Sequence, residues 1–341
     1  MGDPYAAASY AYALPKELIA QRPAQRRDEA RLFVLPRDGK SSHHSFVDLP
    51  DILRPGDLLV ANDSRVMQGR FLARRVGGGA AEVLLLQPSG CDGYWEALVR
   101  PSARIRSGDR LWLGDDSVIE VFGHTSHGQR QVRFRGLDAI QAMERFGHVP
   151  LPPYIKETSP TARARYQTVY AAHDGSAAAP TAGLHFTDEL VRKLRAGGIC
   201  WTTITLHIGA GTFRPVKSED VRAHTMHAER YEIEAAAATA IRDARGRGGR
   251  IVAVGTTSLR ALEDSGGEPA SRATALFIHP PQRCRIADAV ITNFHLPRST
   301  LLMLICAFGG TERVLAAYEE AMRLRYRFYS FGDAMLVERS L

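Results

Sequence analysis

Four cysteines in 341 residues is a small number, and their placement excludes more than their count does. Cys91, Cys200, Cys284 and Cys306 are isolated from one another, with no spacing that suits a metal site or a redox pair. Cys200 and Cys306 sit in apolar runs, as small buried hydrophobes do. Free thiols of this kind suit a reducing compartment. The longest apolar run, Leu301 to Phe308, is far short of the roughly 20 residues that cross a bilayer. The N-terminus has no basic segment followed by an apolar one, so no secretory signal is expected and a cytoplasmic protein is. Lysine is scarce too: the net charge of +7 is carried almost entirely by arginine. A compositional bias towards Arg and Ala explains the preference for arginine, but the excess over acids also attracts phosphate polyanions. Charge alone does not separate tRNA, DNA and an anionic membrane.

What the chain does have is enough apolar content, 45%, for a sizeable core, and a charged fraction of 24% that argues against global disorder. Its length suits two domains, or one with an insertion. After an Ala/Tyr-rich start, Pro15 opens a predicted short helix over 16–21. Strands are expected at 31–35 and 57–61. Between residues 67 and 136 six short β-rich runs (70–76, 81–87, 94–99, 110–113, 118–122 and 131–134) alternate with Gly-containing turns, the pattern of a small barrel or sandwich. A helix at 137–146 closes that block, and Leu151–Tyr154 is an extended link. From residue 165 helices and strands alternate. Helices are expected at 188–195 behind Thr187, at 235–245, at 301–308 behind Ser299 and Thr300, and at 312–324. Strands are expected at 199–206, 251–254 and 289–292. This is an α/β layered main domain in two segments, 1–66 and 150–341, with an inserted small β-barrel domain at 67–149.

Six polar motifs lie at the ends of these apolar elements. They are Pro180–Phe186 (PTAGLHF), Gly209–Val216 (GAGTFRPV), His224–Tyr231 (HTMHAERY), Ala253–Arg260 (AVGTTSLR), Thr292–Thr300 (TNFHLPRST) and Tyr326–Asp333 (YRFYSFGD). Together they predict one composite site presented by loops on a rigid scaffold. Gly255-Thr256-Thr257-Ser258 follows a strand and opens a helix, which suits a carboxylate or phosphate, with Arg260 one turn on; an ordinary hydroxyl-rich cap has the same sequence. His224 and His227 have the i, i+3 spacing of a metal pair with Glu229 close by. Third ligands would come from His185, His207 or His295, but no zinc pattern accompanies them, so acid/base chemistry or substrate hydrogen bonding is the better reading. Gly209 and Gly211 allow close backbone approach to a ligand, or a simple bulge. Asn293 and His295 follow a strand, where ligands of open α/β sheets bind; Asn293 also suits a turn. Asp63 ends a strand in the same way and suits a ribose hydroxyl, or an Asx-turn. Arg163, Arg165 and Tyr166, with Tyr170, mix cations and aromatics as RNA contacts do, and so does any solvated face. The 326–331 stripe suits purine stacking or a core.

In combination these motifs resemble the S-adenosylmethionine:tRNA ribosyltransferase-isomerase family of queuosine biosynthesis. The resemblance covers nearly the whole chain, from Tyr12–Gln21, Arg27-Asp28 and Phe46–Pro50 through Asn62-Asp63, Arg165–Tyr170 and the six motifs above. The chain departs from the family pattern at Ser64–Phe71, at 156–164 and at Pro280–Cys284. The resemblance implies an α/β domain with an inserted β-barrel. It also implies transfer and isomerisation of the ribosyl group of S-adenosylmethionine onto 7-aminomethyl-7-deazaguanine at the wobble position of a tRNA with a GUN anticodon. The products are epoxyqueuosine-tRNA, adenine and methionine. S-adenosylmethionine is then a co-substrate, with no metal and no other cofactor, and the enzyme is expected to be a monomer without a membrane partner. Acid/base groups are expected among His224, His227, Glu229 and His295. Substrate contacts are expected from Asp63, His185, Gly209, Gly211, Thr256, Thr257, Arg260 and Asn293, and tRNA contacts from Arg163, Arg165 and Tyr166. Two rival functions remain: a methyltransferase using S-adenosylmethionine, for which residues 31–66 lack the glycine-rich loop, and a non-catalytic basic RNA-binding protein.

Overall fold

Alternation of apolar residues builds the main sheet. Leu32 and Val34, Leu59 and Ala61, Val252 and Val254, Ala289 and Ile291, and Ala334 and Leu336 all face one buried cluster, which Phe46, Leu49, Phe186, Leu190 and Leu194 complete. Period-two spacing puts such residues on one side of a pleated sheet. The intervening residues are buried as well, so these central strands read as continuous apolar runs. The computed structural model describes residues 2–90, 92–125, 128–157, 159–209 and 216–340.

The strands, in chain order, begin with β1 (Arg31–Leu35), β2 (Ser42–Ser45), β3 (Leu58–Asn62) and β4 (Ser64–Val66). Next come β5 (Arg70–Arg75), β6 (Ala80–Pro88), β7 (Tyr94–Arg100), β8 (Arg110–Gly114), β9 (Ser117–His124) and β10 (Arg130–Arg135). The last are β11 (His173–Ser176), β12 (Cys200–Leu206), β13 (Glu229–Ile233), β14 (Ile251–Val254), β15 (Ala270–Thr274), β16 (Ala289–Asn293) and β17 (Ala334–Glu338). A nine-stranded sheet has the order β15-β13-β12-β3-β14-β16-β17-β1-β2, and β10-β7-β6-β5-β8-β9 close into a barrel. The fold is therefore α/β with a six-stranded β-barrel.

The chain forms two compact units: residues 1–64, 153–173 and 179–341, and residues 65–152 with 174–178. In the second unit Phe71, Val83, Leu85, Ala97, Leu111, Ile119, Val121 and Val132 fill the barrel. The helix Ala139–Phe146 is capped by Asp138, which accepts from the Gln141 amide. In the first unit β12, β3, β14 and β16 run parallel. β3 is flanked by β12 on one side and β14 on the other, so their carboxyl ends, Asn62, Leu206, Val254 and Asn293, fall along one edge of the sheet. That edge is where open α/β sheets place ligands. At the opposite end Asp57 is held by Arg250, with Nη2 2.6 Å from Oδ2, and Arg250 also reaches Glu338.

Expected elements and observed ones differ at particular points. The helix expected at 16–21 is a 3-10 turn over Lys16–Leu18, because Pro23 leaves too little chain for a second turn. The helix behind Ser299 runs Thr300–Gly309, and Ser299 caps it by accepting from the Leu302 amide at 3.2 Å. Strands β2, β4, β11, β13, β15 and β17 are additional to those expected. β2, β13 and β15 belong to the sheet margins, where polar side chains mask the strand period. Cys200, expected to be buried, is only half-buried, Cys306 is buried as expected, and Cys284 is buried too.

Candidate functional site

The helix Thr256–Ser265 begins directly at the end of β14. Gly255 makes this junction at φ +93°, a backbone conformation that favours glycine. The Gly255 amide donates to Ile291 O, and no side chain caps the helix. The first-turn N–H groups of a helix have no intrahelical acceptors and carry the positive end of its dipole. They open on a cleft of about 360 Å³ lined by Pro180, Thr181, Ile208, Thr256, Thr257, Thr292, Asn293 and His295. A second cleft, of about 370 Å³, shares Thr181, Asn293, His295 and Leu301 with the first and adds Tyr154, Leu296, Tyr329 and Ser330. The two are lobes of one depression at the carboxyl ends of β14 and β16.

Buried polar residues hold these walls in place. Asn62 Nδ2 donates to Leu206 O at 2.9 Å and to Thr257 Oγ1 at 3.2 Å, while its Oδ1 accepts from the amides of Leu206 and Ser64. This one side chain ties the ends of β3 and β12 to the first turn of the helix. His295 lies against Thr292, with Nε2 2.7 Å from Oγ1. Its backbone amide donates to Tyr318 Oη, and Tyr12 Oη donates to its carbonyl. Burial pushes the His295 pKa down to about 3, so the ring is neutral at physiological pH. An imidazole of that basicity is a hydrogen-bonding group rather than a base for a carbon acid.

Asn293 is 3% exposed. Its Nδ2 donates to Tyr329 O at 3.1 Å, and Tyr329 holds φ +71°, in the left-handed region that a non-glycine residue rarely adopts. Asn293 Oδ1 is buried without a hydrogen-bond partner.

Glu229 and Arg260 form a second layer. Arg260 Nη1 donates to Glu229 Oε2 at 2.6 Å, and both side chains are 4% exposed. Glu229 Oε1 accepts the Gly209 amide at 2.8 Å, and Arg260 Nη2 donates to Thr274 O at 3.3 Å. Glu229 therefore lies in strand β13, with its charge neutralised by Arg260, and does not face the cleft. The expectation that Arg260 meets a substrate anion is revised on the same ground, since its guanidinium is committed to Glu229.

The remaining expected residues sit elsewhere. Asp63 accepts from Thr205 Oγ1 at 2.7 Å and lies 3.8 Å from His173 Nε2. His185 is stacked on Phe46 at 5.0 Å, with Nδ1 3.1 Å from Ala182 O and Nε2 3.0 Å from Gly332 O. Burial lowers its pKa. His185 also lines a separate cavity of about 270 Å³ with Arg27 and Arg165. There Arg165 donates to Ala24 O and Gln25 O, and Arg27 to Arg165 O and Leu184 O. Tyr166 is fully buried, edge-on to Phe331, so its ring has no open face on which to stack a base. Arg163 is half-buried on the short helix Pro160–Arg165. His224 packs edge-on to Phe277 at 5.4 Å, and burial, then the neighbouring His227 charge, lowers its pKa. His224 and His227 do not line either lobe among the described residues. Gly211 lies outside the described residues. Among the described residues no group of three His, Cys, Asp or Glu side chains is gathered to hold a metal.

Thus Thr256, Thr257, Asn293 and His295 share one cleft; Gly209, Glu229 and Arg260 buttress it; and the others lie apart. Tyr154, Thr181, Asn62 and Tyr329 are the contributors that residue-type reasoning did not single out. In the 326–331 stripe, Tyr326 and Phe328 are core, and only Tyr329 and Ser330 reach the cleft.

Comparison with known proteins gives one answer. A family model described as queuosine biosynthesis protein matches residues 7–337. An S-adenosylmethionine:tRNA ribosyltransferase-isomerase from an Anaeromyxobacter species is 51% identical over 96% of this chain and 98% of its own. One from Gloeobacter violaceus is 50% identical over 96% and 95%. The crystal structure of an S-adenosylmethionine tRNA ribosyltransferase from Thermotoga maritima superposes with a TM-score of 0.55 at 37% identity, covering 96% of this chain and 99% of that one. This chain belongs to the queuosine biosynthesis protein family.

Proposed function

We propose that this protein is an S-adenosylmethionine:tRNA ribosyltransferase-isomerase acting in queuosine biosynthesis. The observation that carries the reading is the match to that family over residues 7–337, with relatives of that name about as similar along 96% of the chain. It favours this enzyme over a methyltransferase or a non-catalytic RNA-binding protein. The acceptor in this proposal is the aminomethyl nitrogen of 7-aminomethyl-7-deazaguanine at the wobble position of a GUN anticodon. The enzyme works as a cytoplasmic monomer. No single helix among the described residues is long and apolar enough to cross a membrane.

The chemistry follows from the sulfonium. Its positive charge acidifies the adjacent C5′–H, so a base removes that proton. The C5′ electron pair expels O4′ from C4′ to leave a 4′,5′-vinyl sulfonium, and the freed oxygen becomes a C1′ carbonyl as adenine leaves with the electrons of its glycosidic bond and takes up a proton. The neutral aminomethyl nitrogen adds at C4′ and loses a proton, the resulting C5′ ylide bonds to C1′, and the C1′ oxygen then displaces sulfur from C5′, closing the epoxide and releasing methionine as a neutral thioether. The sulfonium supplies the driving force, so the proposal includes neither metal nor redox cofactor. The uncapped turn at Thr256 and Thr257 suits the methionine carboxylate. Asn293 and His295 suit the nucleoside. His224 and His227 line neither lobe, so the proton transfer is not assigned to them. Glu229 and Arg260 position the walls.

The test is incubation of the full chain with S-adenosylmethionine and tRNA bearing the aminomethyl base. Free adenine in amount equal to modified tRNA is expected. S-adenosylhomocysteine with a methylated tRNA, or tight salt-sensitive binding without turnover, would replace this reading with one of its rivals.

A further inference from the structure

The two lobes of the cleft differ in chemistry, and Asn293 stands where they meet. One lobe has the threonine hydroxyls and the uncapped helix N-terminus. The other adds the aromatic and aliphatic walls of Tyr154, Phe294, Leu296 and Tyr329. An extended ligand with an anionic end and a planar heteroaromatic end matches this division. The Asn293 amide is oriented by its neighbours: only Nδ2 can face the carbonyl of Tyr329, so the oxygen is the free end. Tyr329 offers that carbonyl from a left-handed backbone conformation, and its own amide donates to Phe294 O at 3.1 Å. Oδ1 is thereby a fixed, buried acceptor with no partner among the described residues. Leaving such a group unpaired is costly, and a ligand N–H that meets it recovers the loss.

Resting on the function proposed above, we infer that Asn293 Oδ1 accepts a hydrogen bond from the exocyclic 6-amino group of the adenine of S-adenosylmethionine, and that it is the residue by which the enzyme selects adenine over other purines. The alternative donor on the same molecule is the methionine ammonium, which the analogue lacking the methionine amino group distinguishes from the 6-amino group. Because Nδ2 is held by Tyr329, Asn293 cannot rotate to offer a donor. A purine with a 6-oxo group would then set oxygen against oxygen.

Isothermal titration of the full chain tests this with S-adenosylmethionine and three analogues: one with purine riboside in place of adenosine, one with inosine, and one lacking the methionine amino group. Wild type is expected to bind the purine riboside analogue roughly ten- to a hundredfold more weakly than S-adenosylmethionine, and the inosine analogue more weakly still. Asn293→Ala should lose a similar factor for S-adenosylmethionine and nothing further for the purine riboside analogue. Wild-type affinities within twofold for the adenosine and purine riboside forms would overturn the inference, even if Asn293→Ala fails to fold. So would a loss confined to the des-amino analogue that vanishes in Asn293→Ala, since Oδ1 would then hold the ammonium. Adenine release by wild type on modified tRNA separates the two levels. If it occurs and the affinities are flat, the Asn293 assignment fails alone; if it does not occur, the proposed function fails.

Discussion

Replacing Arg260 with methionine removes the partner of a carboxylate that has almost no access to water. The Arg260–Glu229 contact is 2.6 Å, and each side chain is 4% exposed. Without the guanidinium, Glu229 keeps the Gly209 amide as a donor but loses the cation beside its buried charge. Breaking one side of such a pair costs about 3–5 kcal/mol, whereas replacing both sides with apolar residues is often close to neutral. Against an ordinary domain stability of about 5–15 kcal/mol, the single change is a large fraction of the total. Trp201 packs against the main core cluster, so its fluorescence in a Trp95→Phe, Trp112→Phe background reports on the α/β unit. With a urea slope of about 3 kcal/mol per molar, the midpoint should fall by roughly 1–1.5 M in Arg260→Met. Adding Glu229→Met should restore most of that shift. The double variant should also keep turnover within about tenfold, because neither residue is assigned to move a proton; loss of a proton-transferring Glu229 would cost about 10²–10⁴. A single-variant shift below about 0.3 M, a double variant weaker than the single one, or a hundredfold loss of turnover in a folded double variant would refute the buttress reading.

His227→Ala should leave turnover within about tenfold and tRNA affinity nearly unchanged, in steady-state kinetics alongside filter binding, since His227 lines neither lobe; a larger loss of turnover would bring His227 to the reacting atoms. Arg163→Glu with Arg165→Glu should weaken tRNA binding and reduce the slope of log K against log salt by about 1–2, and an unchanged slope would place both side chains off the RNA. His295 has its pKa pushed from the ordinary 6.5 down to about 3 by burial, so the unfolded chain takes up a proton that the folded one refuses between those values. Its contribution to stability is therefore complete above pH 6.5 and falls by about 1.4 kcal/mol per unit as the pH drops towards 3, with buried His185 acting in the same direction. Urea midpoints measured from pH 7 to 5 should show this fall, and His295→Asn should flatten it; an identical slope in the variant would contradict the assignment. Gly255→Ala should cost about 1–2 kcal/mol through its backbone at φ +93°, since the new Cβ would stand 3.6 Å from Thr257 Oγ1 and 3.7 Å from Ala182 Cβ, ordinary contact distances. A midpoint equal to wild type would show that the junction tolerates a side chain.

The elements most legible in the sequence were those whose signals are local. The six barrel strands alternate with glycine turns, and each expected run overlaps an observed strand. The capped helices behind Thr187 and Ser299 carry a hydroxyl three residues before the amide it accepts. Strand β13 was not legible because Glu229, Arg230 and Glu232 obscure the period, and that concealed the true place of Glu229: a carboxylate beside two histidines suggests acid/base chemistry until a strand buries it against Arg260. Thr256, Thr257 and Asn293 stood out because each follows a strand end, where a helix cap or a turn would have the same sequence, and the structure places them on one cleft. Asn62 and Tyr329 were not, since their roles depend on contacts to Leu206 and Asn293 across long separations in sequence. Tyr166 misled for the opposite reason: an Arg–Tyr mixture looks the same whether the ring faces solvent or the core.

The most direct measurement follows the atoms of the co-substrate. S-adenosylmethionine labelled in its ribose carbons in one preparation and in its methyl group in another is incubated with the protein and tRNA bearing the aminomethyl base. The account predicts that ribose label enters the tRNA while methyl label stays with released methionine. Methyl label in the tRNA, with the ribose remaining on S-adenosylhomocysteine, would contradict it.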